Sequence, residues 1–403
     1  MGKFLKLVLG TAVIVTALNF TGCSKNNIVS EVISSISSEK NYVVFDDNKV
    51  EKAEVLTYES PYKDASASYY KDKLTDEESE LYNIFVYAYE HNYTNIEYYS
   101  SNENLGDSYK KIVQCICAEN PFIDWNQEYS YTYGSGHYKF KSSQLDKKDV
   151  NLKVQAYDKA KEILKSMPEG GSSYDKASWI YNYIVNNVRY VNNSDTYLSG
   201  NPSFIYDALM GQETQCTGFS DTMTMMCNLA GVECITVCGQ TNEGHAWNLV
   251  NIDGNFYYCD ATGDSVIKSN VPDKSINLNL SFLKSDEVFS LNGYSLIDNV
   301  VIEFPKAKDT KYDLSNIDFN LQNLSNESDL NAISEKLIKE KRYVVVHLQK
   351  VSAENTEEVQ VATNSILNYI STHMVSNEYS YVTIQNLISE SDNDVIFFVN
   401  FEK

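Results

Sequence analysis

The sequence predicts an α+β protein in which a central mixed core is flanked by smaller α/β modules. Three observations carry that reading. Apolar residues recur at three- and four-residue steps in several separate stretches, the spacing of a helix with one buried face. Short runs rich in Val, Tyr and Phe lie between them, the composition of strands. Gly134-Ser135-Gly136 and Asp253-Gly254-Asn255 sit between pairs of such runs, as hairpin turns do. A chain of 403 residues holds about two to four domains at the usual ~100–200 residues each.

Residues 1–23 stand outside the fold. Lys3 and Lys6 make a positive start, and residues 7–18 are almost wholly apolar but short for a membrane span. That is the plan of a secretory signal. Its end, Phe20-Thr21-Gly22-Cys23, resembles a bacterial lipoprotein box. The resemblance implies a lipid on Cys23 as the first residue of the mature protein. Residues 24–41 are polar and Ser-rich, as a tether between membrane and body would be. No later segment is apolar for long enough to cross a bilayer.

Residues 42–167 read as an N-terminal α/β module. It begins with an initial strand and a loop over 42–70. Thr75, with Glu78 three residues later, makes a capping box. Leu81, Ile84, Phe85 and Ala88 then share one helical face. A second helix covers 108–118 with Ile112, Cys115 and Ala118 inward. Residues 122–133 and 137–140 are strand-like, and 150–167 are a third helix. The Pro-Glu-Gly-Gly-Ser-Ser run at 168–173 is a break. The core follows over 168–304. A helix from Tyr174 brings Ala177, Ile180, Ile184 and Val188 to one side, 189–203 is a polar connection, and Tyr206, Ala208 and Leu209 lead to a helix that opens at Cys216. Beyond Thr262 the pattern is irregular. Residues 305–325 read as a linker. Residues 326–403 read as a small C-terminal α/β domain of sandwich or ferredoxin-like character. Its helices fall at 328–339, with Ser328 as N-cap, and at 357–374; its strands fall at 343–348, 381–387 and 395–399.

The formal charge is -22, from 33 Lys plus Arg against 55 Asp plus Glu. Such a chain repels nucleic acid at long range, so no nucleic-acid partner is expected. Eight cysteines show neither a Cys-x-x-Cys pair nor zinc spacing. Cys234 and Cys238 would stand about 13 Å apart along one strand, too far to bridge each other. Cys227, Cys234 and Cys259 read as small buried hydrophobes. His91, His137, His347 and His373 are scattered, so neither a metal nor a cofactor is expected.

Chemistry concentrates between Gly211 and Thr262. Cys216 would sit at a helix N-terminus, where the dipole and free N–H groups favour a thiolate and could hold an oxyanion. His245 opens a strand-like run, Asp253-Gly254 turns it back, and Asp260 ends the returning run. A register centred on that turn brings His245 and Asp260 close to being paired neighbours. A carboxylate there can accept the imidazole N–H and leave the other ring nitrogen for the sulfur. Gly218 permits close approach near the helix start. Trp247 and Asn248 pack the site. Asp221 and Asp264 read as solvated or capping residues.

These residues resemble the transglutaminase-like superfamily of papain-fold cysteine enzymes. GQETQCTGFSDTMTMMCNLAGVE matches its Cys-to-helix stretch, and GHAWNLVNIDGNFYYCDAT matches its His-Ala-Trp-Asn strand, Asp-Gly turn and Asp-x-Thr end. The resemblance implies a papain-like transglutaminase core with Cys216 as nucleophile, His245 as base and Asp260 as orienting acid. Gln215 stands where a small or aliphatic residue is commoner. The upstream oxyanion donor is open among Gln212, Gln215 and Tyr206, with Thr217 as a further candidate. The Leu-Thr-Asp-Glu-Glu opening of the N-terminal module also resembles the region before the core in many secreted members.

The expected function is acyl transfer at protein or peptide amides, as a protease or amidase or as a transglutaminase. The expected place is the extracytoplasmic face of the cell membrane, held there by the lipid anchor, with substrates in the envelope or outside the cell. A catalytically silent surface-binding or scaffolding module is the alternative. Sugar or glycopeptide binding by the aromatic-rich N-terminal module is a third reading.

Overall fold

The computed structural model describes residues 41–123, 129–134, 136–142, 148–191, 204–271, 275–349, 355–373, 381–388 and 394–402. Cys23, the signal, the tether and most of the 189–203 connection lie outside them. Packing divides the chain into two units. One takes residues up to 58, 75–109 and 127–145; the other takes 59–74, 110–126 and 146 onward. No helix among the described residues is long and apolar enough to cross a membrane.

The first unit is a five-stranded antiparallel sheet with helices. Its strands are β1 (Tyr42–Phe45), β2 (Asn48–Glu51), β3 (Asn95–Tyr99), β4 (Tyr129–Gly134) and β5 (His137–Ser142), in the order β2-β1-β3-β5-β4. The region read as one strand and a loop therefore holds a hairpin, turned at Asp46-Asp47, both with positive φ. A short helix α1 (Lys52–Leu56) follows. Helix α2 (Asp76–Glu90) begins at the expected capping box, with the Thr75 hydroxyl accepting from Glu78 N and the Glu78 carboxylate accepting from Thr75 N. Leu81, Ile84, Phe85 and Ala88 are buried. Helix α3 (Leu105–Glu119) begins in this unit and continues into the residues assigned to the other, where Ile112, Cys115 and Ala118 are buried. Of the strand expected over 122–133, Tyr129–Gly134 is described as β4, and residues 124–128 lie outside the described residues. Phe122 and Ile123 are buried in a turn, held by the Asn120 side chain, which accepts from Phe122 N.

The second unit is built on an antiparallel sheet of order β10-β9-β8-β11. Its strands are β8 (Cys234–Gln240), β9 (Gly244–Ile252), β10 (Asn255–Cys259) and β11 (Ser295–Leu296), numbered after two short strands that pair in parallel, β6 (Arg189–Tyr190) and β7 (Glu213–Thr214). Helices α4 (Lys148–Leu164), α5 (Ser173–Asn187) and α6 (Cys216–Leu229) supply one shared cluster. Ala156, Ala160 and Ile163 from α4 lie in it with Ile180, Ile184, Phe219 and Met223. The apolar stripe of α4 thus packs in the core unit, although the sequence assigns that helix to the preceding module. A capping box of Ser172 and Asp175 starts α5. The stretch read as irregular after Thr262 contains α7 (Ala261–Asn270) and α8 (Asp286–Leu291). Both are short, and α7 buries polar side chains, so apolar periodicity does not reveal it.

The C-terminal strands β12 (Phe319–Leu321), β13 (Tyr343–Leu348), β14 (Tyr381–Ile388) and β15 (Asp394–Glu402) form one sheet of order β12-β13-β15-β14. The segment read as linker therefore ends in a strand, parallel to β13. Helices α9 (Glu327–Glu340) and α10 (Asn355–His373) separate the strands in a β-α-β-α-β-β sequence. That is neither a sandwich nor the ferredoxin-like order. Asn326, not Ser328, caps α9, accepting from Ser328 N. Alternation along the strands covers both faces. Val344, Val346, Val395 and Phe397 meet the helices, while Val345, Ile396 and Phe398 pack on Val271, Ile276, Leu278 and Leu280.

Candidate active site

Three elements meet at Cys216, His245 and Asp260. Cys216 is the first residue of α6, with Gln215 in extended conformation at the N-cap. First-turn N–H groups have no acceptor within the helix, so they face outward beside the sulfur. Strand β7 leads into this turn and crowds it. A Cβ on Gly218 would run into the buried Thr214 side chain, so glycine there admits a neighbouring chain segment. Cys216 is a free, half-buried thiol.

His245 lies near the start of β9, and its partner arrives by the hairpin. Asp253 and Gly254 both have positive φ, and the register runs from Ile252↔Asn255 to Asn248↔Cys259. Continued by one step, that register places Asp260 opposite Trp247, two residues from His245 on the same face. Asp260 therefore reaches His245 diagonally. It leaves the strand to become the N-cap of α7: Oδ1 accepts from Thr262 N at 2.8 Å and Gly263 N at 3.2 Å. Oδ2 takes His245 Nε2 at 2.8 Å and the Tyr294 hydroxyl at 2.7 Å. Nε2 is committed to the carboxylate, which leaves Nδ1 for the sulfur. Cys216 hydrogen-bonds with this imidazole and with the Ala246 backbone N–H.

The charges follow from these contacts. Burial of Cys216 raises its pKa, but the hydrogen bond and charge of His245, with the Ala246 N–H, outweigh burial and lower it. Burial opposes charge on His245, yet Asp260 and then Cys216 raise its pKa to about 10. Burial would raise Asp260; His245, Tyr294 and the Gly263 N–H bring it below the ordinary carboxylate value. All three directions favour a thiolate beside an imidazolium beside a carboxylate.

A buried polar chain ties the nucleophile helix to the histidine strand. Asn248 Nδ2 donates to Ser220 O and to Thr224 Oγ1, each at 2.9 Å. Thr224 Oγ1 meets Thr236 Oγ1 at 2.9 Å, and Thr236 Oγ1 donates to Asp221 Oδ1 at 3.1 Å. Asn248 thus bridges α6 and β9. Asp221 is buried in this chain and Asp264 is buried behind Asp260, so neither is the solvated carboxylate read from sequence. Both lie on helix faces turned inward. Trp247 is buried, its ring 5.9 Å from that of His245 and edge-on to Tyr294 at 5.1 Å.

The oxyanion candidates separate. Gln215 and Thr217 flank Cys216 at the helix start. Gln212 is exposed in a left-handed turn that ends a π-helical segment, Asp207–Gly211. Tyr206 packs partly buried against the core cluster. Tyr294 escapes sequence reasoning altogether. It lies 34 residues beyond Asp260, in a stretch without periodic pattern. A cavity of about 250 Å³ lies beside Tyr294, lined also by Thr241, Asn242, Ser281 and Asp394. Neither Cys216 nor His245 lines it, so it neighbours the site. Among the described residues no group of three His, Cys, Asp or Glu is gathered to hold a metal.

Residues 161–261 match the family model described as the transglutaminase-like superfamily. The kyphoscoliosis peptidase of Homo sapiens is 35% identical over 81 residues, covering 17% of this chain and 12% of the peptidase. That of Mus musculus is 36% identical over 72 residues, covering 15% and 11%. The chain therefore spans a small fraction of these relatives. Among solved structures, one described as a TGase is 17% identical, covers 42% of this chain and 50% of its own, and superposes with a TM-score of 0.25. That superposition is too loose to carry weight.

Proposed function

We propose, for a chain that carries a transglutaminase-like core, that Cys216, His245 and Asp260 catalyse acyl transfer at protein or peptide amides. The observation that carries this reading is a thiol hydrogen-bonded to an imidazole whose far nitrogen is held by a buried carboxylate. The Cys216 sulfur attacks the amide carbonyl, and first-turn N–H groups of α6 face the developing oxyanion. The His245 imidazolium gives its proton to the departing amine or ammonia as the carbon–nitrogen bond breaks. A thioester remains. Water or an amine then attacks it, His245 takes the attacking group's proton, and the thiolate leaves. Water as acceptor makes a protease or amidase; a lysine amine makes a cross-link.

The expected setting is the outer face of a membrane, with a lipid on Cys23 and substrates in the envelope or beyond it. Mass analysis of the mature N-terminus tests the anchor: an unmodified Cys23 would remove it. For the chemistry, the body of the protein beginning after Cys23 is treated with a thiol-directed amide electrophile, and labelled sites are mapped. Selective labelling of Cys216, lost on His245→Ala, is expected; a peptide screen with and without added amine then separates hydrolysis from transfer. Labelling of Cys216 no faster than that of an ordinary thiol would leave the silent binding module as the better account.

A further inference from the structure

Asp264 lies on the first turn of α7, four residues after Asp260, and the acyl-transfer steps do not use it. It is 3% exposed. The groups that face it come from every element packed around it. Tyr181 comes from α5, Cys259 and Asp260 from the end of β10, and Ser281 and Lys284 from the segment before α8. Lys284 is committed elsewhere, donating to the carbonyls of Tyr312 at 3.1 Å and Asp313 at 2.7 Å.

Both peptide groups of Asp260 are clamped. Its N–H donates to Ser281 O at 2.9 Å, and its carbonyl accepts from Tyr181 Oη at 2.8 Å. Asp264 holds both clamps. Ser281 N–H donates to its carboxyl, 3.3 and 3.2 Å from the two oxygens. Tyr181 Oη lies 2.5 Å from its Oδ2. That hydroxyl therefore faces two acceptors, the Asp260 carbonyl and Asp264 Oδ2, with one proton to give. The tyrosine hydroxyl carries one proton, and a peptide carbonyl can only accept. With the Tyr181 proton on the carbonyl of Asp260, the contact to Asp264 needs a proton from Asp264.

We propose that Asp264 is a positioning residue that works as a neutral carboxylic acid, donating to Tyr181 so that Tyr181 can donate to Asp260, and thereby holding the turn that aims Asp260 at His245. The proposal rests on the acyl-transfer reading for its functional meaning, but its hydrogen-bond direction stands apart from that reading. Burial is the main reason a proton is retained; the Tyr181 contact and the Ser281 N–H oppose it, the neighbouring charge of Asp260 adds to it, and the balance pushes Asp264 up to about 7. A neutral acid also keeps a second negative charge away from the carboxylate that His245 needs. Because the folded pKa is raised above that of the unfolded chain, the stabilising state is complete in acid. It is lost as pH climbs through neutrality.

The test uses the body of the protein and three variants, Asp264→Asn, Asp264→Leu and Tyr181→Phe. An amide can donate to Tyr181 Oη and accept from Ser281 N at every pH, so Asp264→Asn mimics the neutral acid. Infrared difference spectra of wild type against Asp264→Asn should show a neutral carboxyl band in mild acid that fades as pH rises through neutrality. The low-field proton resonance of the His245–Asp260 hydrogen bond should weaken over the same range in wild type and persist in Asp264→Asn. In mild acid, Cys216 labelling should stay within about twofold of wild type in Asp264→Asn and fall about tenfold in Tyr181→Phe, the scale of one buried hydrogen bond. Asp264→Leu should lose the resonance at all pH values if it folds. Absence of the carboxyl band, or the same alkaline loss in Asp264→Asn as in wild type, would overturn the proposal. An unreactive Cys216 in wild type would instead strike the acyl-transfer reading, while the infrared and resonance measurements would still judge Asp264.

Discussion

The molecule holds two His–Asp hydrogen bonds of equal length among its described residues. His245 meets Asp260 at 2.8 Å, and His347 meets Asp394 at 2.8 Å. Distance alone does not tell them apart; origin does. His347 and Asp394 are directly opposed in the register of β13 and β15, so sheet pairing alone brings them together. His245 and Asp260 are off register, and the contact exists because Asp260 turns out of the strand to cap a helix. Surroundings differ as well. The Asp260 side chain is 2% exposed and that of Asp394 is 12%. A thiol lies beside His245, whereas no cysteine follows Cys259 in the chain. A carboxylate–imidazole pair becomes a candidate site when a nucleophile adjoins it and each remaining lone pair of the acid has an assigned donor.

The sharpest way to break this contrast is to remove each histidine in turn. His245→Asn should lower acyl transfer about 10³-fold, the scale of a general acid–base. His347→Asn should leave it within about twofold, since the hydrogen bond of His347 goes to Asp394 and not to any of the three site residues. Comparable losses in the two variants, measured on one peptide substrate, would erase the distinction. A second measurement concerns pH. Alkylation of Cys216 should titrate below the ~8.5 of an ordinary thiol, because His245 lowers its pKa. His245→Asn should move that midpoint upward, whereas His347→Asn should not. Turnover needs the imidazolium, so in Asp264→Asn, which is spared the earlier loss at neutrality, it should fall as pH rises through the value of about 10 reached by His245. Tyr294→Phe removes one donor from Asp260 Oδ2 and should slow turnover roughly tenfold, near the ~1.5 kcal/mol of a bond to a charged group. An unchanged rate would make Tyr294 a packing residue. The smallest expected effect is on stability: Gly218→Ala should cost about 1–3 kcal/mol by overpacking against Thr214, read as a shift in denaturant midpoint.

What was legible in the sequence was local. Capping boxes at Thr75 and Ser172 are set by side chains three residues apart, although only the first was read as one. The Asp253-Gly254 turn fixes its hairpin through two positive φ angles. The approach of His245 to Asp260 followed from counting back from that turn. Less legible were contacts made by long chain closure. Tyr294 touches Asp260 across 34 residues, and Tyr181 touches Asp264 across 83. No spacing rule reaches that far. Asp264 had a weaker signal. Asp260, Asp264 and Lys268 recur at four-residue steps, and Asp264 and Lys268 are buried on α7. A charged residue at a helical step is ordinarily read as outward, which is why α7 and its inward row were missed. The parallel pairing of β12 was hidden similarly, since three residues are too few to show alternation.

Asp260 is both the acid of the site and the cap of α7, and the two duties make the triad unequal under mutation. Loss of Cys216 removes a sulfur from a helix start and leaves every cap and clamp in place. Loss of Asp260 frees two helix N–H groups, a cap worth about 1 kcal/mol, and leaves the Tyr294 hydroxyl without its acceptor. Descendants of such a fold that abandon catalysis should therefore shed the cysteine early and keep the aspartate long afterwards. In this architecture a surviving aspartate is a record of folding, and the cysteine is the residue whose presence speaks for an enzyme.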